Sequence, residues 1–116
     1  MKTLLVLNDG PYGSERPFNA LRVAMALSAI DGAEVRIFLL GDAVGCAKRS
    51  QATPEGAYNL GRMLHGLQAR GAVVGACGSC LEARGFGDAD LIEGTRRASL
   101  TELADWTAWA DKVLTF

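Results

Sequence analysis

Apolar residues recur along this chain in short blocks whose spacing alternates between continuous runs and a helical period. The first block, Thr3-Leu4-Leu5-Val6-Leu7-Asn8, stops at Asp9-Gly10-Pro11-Tyr12-Gly13, a cluster of turn formers, and predicts a strand buried on both faces. Ser14 is placed to cap a following helix and Pro17 suits its first turn. Phe18, Leu21, Met25 and Leu27 or Ser28 then repeat at helical spacing as far as Asp31-Gly32. A second apolar run, Glu34 to Leu40, ends at the small polar turn Gly41-Asp42. Ala43 to Ala52 has no firm periodicity and reads as a loop with room for one helical turn. Thr53 before Pro54-Glu55 predicts a helix start, with Leu60, Met63 or Leu64, and Leu67 as its stripe and Arg70-Gly71 as its end.

Val73, Val74 and Ala76 predict a third buried strand, and Leu81 to Arg84 a short helix closed by Gly85. From Phe86 to Gly94 the pattern is weak apart from a helical turn at Asp90-Leu91-Ile92, and Thr95 to Ala98 is a weak strand. Ser99-Leu100-Thr101-Glu102 fits a capping box opening a helix to about Asp111. Lys112 to Phe116 is a closing strand, which at a chain end implies a place in a sheet. Alternating strands and helices with apolar strands imply a parallel sheet covered on both faces, because each parallel crossover needs a helix to return the chain. Ligands collect at the carboxyl edge of such sheets. The loops Asn8 to Ser14, Gly41 to Cys46 and Cys77 to Cys80 are therefore expected to share that edge.

Composition narrows the picture. A length of 116 residues suits one domain, and 49% hydrophobic with 22% charged residues excludes a disordered chain. A formal charge of -1 gives no electrostatic reason to expect direct binding of nucleic acid. No apolar run approaches the roughly 20 residues that cross a bilayer, and the first block reaches Asn8 too soon for a signal peptide. A cytoplasmic location and no membrane contact are expected. Three cysteines, an odd number, do not resemble a secreted disulfide framework, so reactive or packed thiols are expected instead.

The candidate chemistry lies in Val73 to Gly85, where an apolar strand stops at Cys77-Gly78-Ser79-Cys80 and turns helical. Unpaired amides at a helix start favour an anion, and a thiol there is pushed toward thiolate. Cys80, next to Leu81, is read as the activated thiol, with Gly78 and Ser79 as amide donors and Arg84 one turn on as a charge partner. Cys77 is a resolving thiol or strand-end packing. A thioredoxin-type dithiol fits less well, because Pro11, Pro17 and Pro54 all precede Cys77. Zinc needs about four ligands, and only Cys46 and His65 remain as soft candidates, so no metal or organic cofactor is expected. Cys46 is a second crevice thiol or a packed one, and His65 a partly buried structural side chain. Gly10, Tyr12 and Gly13 line an anion-compatible turn that lacks P-loop or dinucleotide spacing. Asn8, Asp9 and Asp42 stand near the crevice, and Asp9 and Asp42 suit capping or turn roles. Trp106 and Trp109 are core or subunit contact.

An ordered series of motifs spans nearly the whole chain. It comprises Gly10-Pro11-Tyr12-Gly13-Ser14-Glu15 with Phe18-Asn19 and Leu21-Arg22, Asp42-Ala43-Val44, Gln51, Glu55-Gly56 and Tyr58-Asn59. It continues with Cys77-x-x-Cys80 followed by Ala83-Arg84-Gly85, then Leu91-Ile92-Glu93-Gly94, and Ala110 to Phe116. This series resembles the DsrE/DsrF-like family, in particular its small YchN-like members. The resemblance implies a three-layer α/β/α sandwich with a five-stranded parallel sheet of Rossmann-like topology, assembled as a homo-oligomer such as a trimer or hexamer. It also implies sulfur relay, in which Cys80 matches the family's carrier cysteine and takes sulfane sulfur from a donor protein to an acceptor. The reading that competes with relay is a non-catalytic oligomeric module holding a small anion or a protein partner in its crevice. A dithiol oxidoreductase is a third.

Overall fold

Five strands pair in one all-parallel sheet, and the computed structural model describes them within residues 1–116. In chain order the elements are β1 (Lys2–Leu7), α1 (Arg16–Ser28), β2 (Glu34–Leu39), a 3-10 helix (Gly41–Ala47) and α2 (Leu60–Ala69). There follow β3 (Val73–Cys77), α3 (Gly78–Ala83), a 3-10 turn (Asp88–Asp90), β4 (Arg96–Ala98), α4 (Leu100–Trp109) and β5 (Lys112–Thr115). The strand order is β4-β3-β2-β1-β5. The chain steps outward from β1 to β4, then returns across the sheet to place β5 on the far side of β1. Right-handed crossovers therefore lay α1 and α2 on one face and α4 on the other, giving the α/β/α sandwich.

Continuous apolar runs become the central strands for the expected reason. Leu4, Leu5, Leu7, Ile37, Phe38, Leu39, Val74 and Ala76 are fully buried, since helices leave neither face of a central strand to solvent. Register pairs Phe38 with Gly75, and Trp106 of α4 packs over both. The Trp106 ring meets Phe38 edge-on at 5.8 Å and 88°. A Cβ on Gly75 would stand 3.0 Å from Trp106 Cη2, so glycine there makes room for the indole. Trp106 is thus core, while half-buried Trp109 carries the Arg36 guanidinium 3.9 Å from its ring centre.

Four local expectations are corrected. The second helix begins at Leu60, not near Thr53, because Asn59 Oδ1 accepts the Arg62 N–H at 3.0 Å and Pro54 to Ala57 closes a turn. The first helix is flanked by Glu15, and Ser14 accepts from Arg16 N–H while donating to Asp9 Oδ2 at 2.8 Å. The stretch read as a loop contains the 3-10 helix, with Ala43, Val44, Cys46 and Ala47 buried. The helix after β3 starts at Gly78, three residues before Leu81. Ser99 caps α4, accepting from Glu102 N–H at 3.2 Å, but the Glu102 carboxylate pairs with Arg96 at 3.1 Å instead of closing the expected capping box. The last strand is tied into the sheet beside β1.

Candidate functional site

The carboxyl ends of β1, β2 and β3 open on one edge, and β3 ends in the thiol pair. Because α3 starts at Gly78, Cys77 flanks the helix and Cys80 lies in its first turn. Cys77 is buried, whereas Cys80 is partly exposed, and both are free thiols. The Cys80 sulfur accepts the Gly41 N–H at 3.2 Å, a bond across two loops that are 39 residues apart in sequence. Gly41 has φ +59, a left-handed conformation that turns its amide toward the sulfur.

Electrostatics divide the pair differently from the sequence expectation. Burial resists ionisation of Cys77, but the Cys80 thiol, the Ser79 hydroxyl at 3.3 Å and the Cys80 and Ser79 amides outweigh it and lower its pKa. Those amides face Cys77 without closing a full capping hydrogen bond. For Cys80, burial, donation toward Cys77 and the Cys77 charge together exceed the help of Gly41 N–H and Arg84, so its pKa is raised. The two thiols titrate as one unit, with the surroundings pulling Cys77 down and pushing Cys80 up. The helix-start amides expected beside Cys80 lie instead beside Cys77, the residue before the helix.

Arg84 lies beside the pair, yet its guanidinium is held by Asp42, with Nη2 at 2.6 Å and Nε at 3.2 Å from Oδ1. Its Nη1 donates to the Cys80 carbonyl at 3.0 Å. The α3 loop is fastened from the other side by Arg97, which donates to the Gly78 and Phe86 carbonyls and pairs with Asp88 at 3.1 Å. Between α3 and the start of α4 runs an open groove of about 500 Å³, lined by Cys77, Gly78, Ser79, Glu82, Arg97 and Leu100 among others.

The remaining candidates do not form one crevice with the thiols. Gly10, Gly13 and Asp42 line a separate polar depression of about 370 Å³ with Asp9 and Ser14. Asn8 is occupied at the β1–β5 junction, its Nδ2 donating to the Phe116 carbonyl at 3.2 Å. Tyr12 does not cover the thiols: its hydroxyl meets Gln51 and accepts the Leu60 N–H at 3.1 Å, fixing the loop to the start of α2. Its ring stacks on Tyr58 at 5.7 Å. Cys46 is fully buried, and desolvation pushes its pKa up to about 12, so it is a packed thiol rather than a crevice one. His65 is exposed on α2, not partly buried. No group of three or more His, Cys, Asp or Glu side chains is arranged to hold a metal ion.

Two residues of the site escaped the sequence reading. Gly41 supplies the only amide bonded to Cys80, and its signal was a glycine directly after a strand, where positive φ is common. Arg97 lies in a short strand whose charged side chains gave no periodicity. The thiols stand at the carboxyl edge as expected, at the end of β3 and away from the topological reversal between β1 and β5.

An all-parallel α/β domain with two interacting thiols at the carboxyl edge of its sheet defines a small thiol protein of the doubly wound class. Comparison makes the assignment specific: the chain belongs to the DsrE/DsrF-like family, whose profile matches residues 1–116. Sulfur relay is the activity associated with that family. The chain is 45% identical to Protein YchN of Escherichia coli, over 99% of this chain and 98% of that protein. It is 40% identical to an uncharacterized protein of Methanocaldococcus jannaschii over the full length of both. The crystal structure of the E. coli ychN protein superposes with a TM-score of 0.94 at 44% identity, covering 100% of this chain and 99% of that one. A Methanobacterium thermoautotrophicum protein of unknown function shares the fold at a TM-score of 0.78 and 14% identity, covering 99% and 98%. No helix is long and apolar enough to cross a membrane.

Proposed function

We propose that this protein carries sulfane sulfur as a persulfide on Cys80 and passes it to an acceptor thiol. The observation that carries the reading is the partly exposed Cys80 sulfur, bonded to the Gly41 amide at 3.2 Å beside a more acidic thiol. In loading, the Cys80 sulfur attacks the terminal sulfur of a donor persulfide while the Cys77 thiolate takes the Cys80 proton. The donor's S–S bond breaks and its thiolate leaves, so no metal or organic cofactor enters. The donor and acceptor are proteins in a reducing, cytoplasmic setting. Membership of the family supports assembly into a homo-oligomer, a trimer or hexamer.

The test is incubation with a persulfide donor followed by intact mass measurement. The wild type and Cys46→Ser gain one sulfur atom, and Cys80→Ser does not. Loading that survives Cys80→Ser removes the assignment. A second reading, a non-catalytic oligomeric module binding a small anion or protein partner, is favoured by one observation: Asp42 occupies the Arg84 guanidinium, leaving Cys80 with a raised pKa. Absence of any adduct on the wild type selects it.

A further inference from the structure

The two thiols differ in access: Cys80 is partly exposed and meets a protein partner first, whereas Cys77 is 3% exposed. Cys77 flanks α3 and Cys80 lies three residues on in its first turn, so the second thiol belongs to the same helix start as the loaded one. Resting on the carrier reading, we infer that the protein has a further activity, thiol-dependent release of sulfide, in which Cys77 discharges the Cys80 persulfide whenever no acceptor arrives. The Cys77 thiolate attacks the inner sulfur of the persulfide, the atom that occupies the Cys80 Sγ position facing it. A Cys77–Cys80 bond forms, the bond between the two persulfide sulfurs breaks, and hydrosulfide leaves with the electron pair. The sulfane sulfur is reduced to sulfide and the cysteine pair is oxidised to a disulfide, so atoms and electrons balance.

Geometry favours the inner atom. Cys77 flanks α3 and Cys80 sits three residues on in its first turn, and the Cys80 thiol already faces Cys77. Hydrosulfide is the conjugate base of a stronger acid than an alkyl thiol, and a more acidic group leaves faster. Return to the dithiol requires two equivalents of a small thiol. The first attacks the partly exposed Cys80 sulfur and expels Cys77, the more acidic thiol, as thiolate. The second releases the mixed disulfide as the oxidised small thiol.

The experiment loads the reduced full chain with one equivalent of inorganic disulfide, removes excess reagent, and follows released sulfide by bimane trapping alongside intact mass. The wild type first gains one sulfur, then falls to two hydrogens below the dithiol mass while releasing one equivalent of sulfide. Added glutathione restores the dithiol and makes release repeat with each loading. Cys77→Ala and Cys77→Ser, two variants of different polarity at the buried position, hold the adduct and release sulfide at least about tenfold more slowly. Equal release from these variants overturns the inference and leaves the carrier role standing. Absence of any sulfur adduct on the wild type itself overturns the carrier reading and this inference with it.

Discussion

Arg84 points at Asp42, 2.6 Å away, rather than at the cysteine sulfur one helical turn before it. The carboxylate sits in the turn after β2 and holds the nearest cation away from the thiol. That contact also raises the pKa of the guanidinium, which stays charged throughout. Asp42→Asn frees Arg84 and removes a negative charge, and both changes stabilise the Cys80 thiolate. Cys80 in this variant alkylates with iodoacetamide at pH 7 roughly two- to fivefold faster, the scale expected of an exposed pair. Arg84→Gln moves the rate the other way. Unchanged rates in both variants mean that this arginine has no electrostatic reach to the sulfur.

Cys77 opposes ionisation of Cys80 twice over, by accepting from its thiol and by carrying the first charge. Cys77→Ala removes both effects, so the Cys80 pKa falls back toward the ordinary thiol range. Alkylation rates measured across pH 6 to 10 locate it. In the wild type the Cys80 inflection lies above that of a free cysteine, and in Cys77→Ala it moves to lower pH. A shift to higher pH in the variant contradicts the coupling.

Gly41 is asked for two things by one backbone angle. Its φ of +59 is open to glycine and costs other residues about 1 kcal/mol, although a Cβ would meet nothing closer than the Asn8 carbonyl at 3.9 Å. Gly41→Ala is therefore expected to lower unfolding free energy by about 1 kcal/mol in denaturant titrations. It also slows Cys80 alkylation, because relaxing the angle swings the amide off the sulfur. A loss of stability with unchanged alkylation separates the two roles.

The fold was legible where burial dictates pattern. Runs such as Leu4 to Leu7 and Ile37 to Leu39 are apolar throughout because helices cover both faces, and that is what a buried parallel strand writes into a sequence. The 3-10 helix was legible only as room for one helical turn, for a matching reason: its buried residues pair as Ala43 with Cys46 and Val44 with Ala47, a period of three that neither helical nor strand spacing reveals. At the site, the cysteine spacing marked the right stretch, but the assignment of charge depended on where α3 begins. A shift of three residues transferred the helix-start amides from Cys80 to Cys77. The partner contacts, Gly41 on Cys80 and Asp42 on Arg84, join positions 39 and 42 residues apart, and no local pattern records them.

Gly75 shows how tightly the α4 face is built. An added Cβ would lie 3.0 Å from Trp106 Cη2 and 3.4 Å from Ala98 Cβ, and the indole is only 5% exposed. Gly75→Ala forces the ring off Phe38, and overpacking of this kind costs about 1–3 kcal/mol. Denaturant midpoints fall accordingly, while Trp106→Phe in the same background recovers part of the loss by shortening the ring. If Gly75→Ala is neutral on its own, the indole has more freedom than its burial indicates.

Cys46 makes stability fall in alkali. Its thiol is completely buried and donates weakly to the Asp9 carbonyl, and desolvation pushes the pKa up to about 12 in the folded chain from 9.0. Above pH 9 the unfolded chain therefore releases a proton that the folded chain keeps. Because the folded state then binds more protons, stability decreases with rising pH, and the loss ends only near the folded pKa. One such group changes unfolding free energy by up to about 1.4 kcal/mol per pH unit. Lysine and tyrosine titrations overlap this range, so the decisive quantity is the difference between wild type and Cys46→Ala. The variant starts slightly less stable from the lost packing of one sulfur, then closes the gap steadily between pH 9 and 11 in urea titrations. Parallel slopes for the two proteins would show that the buried thiol ionises as easily folded as unfolded.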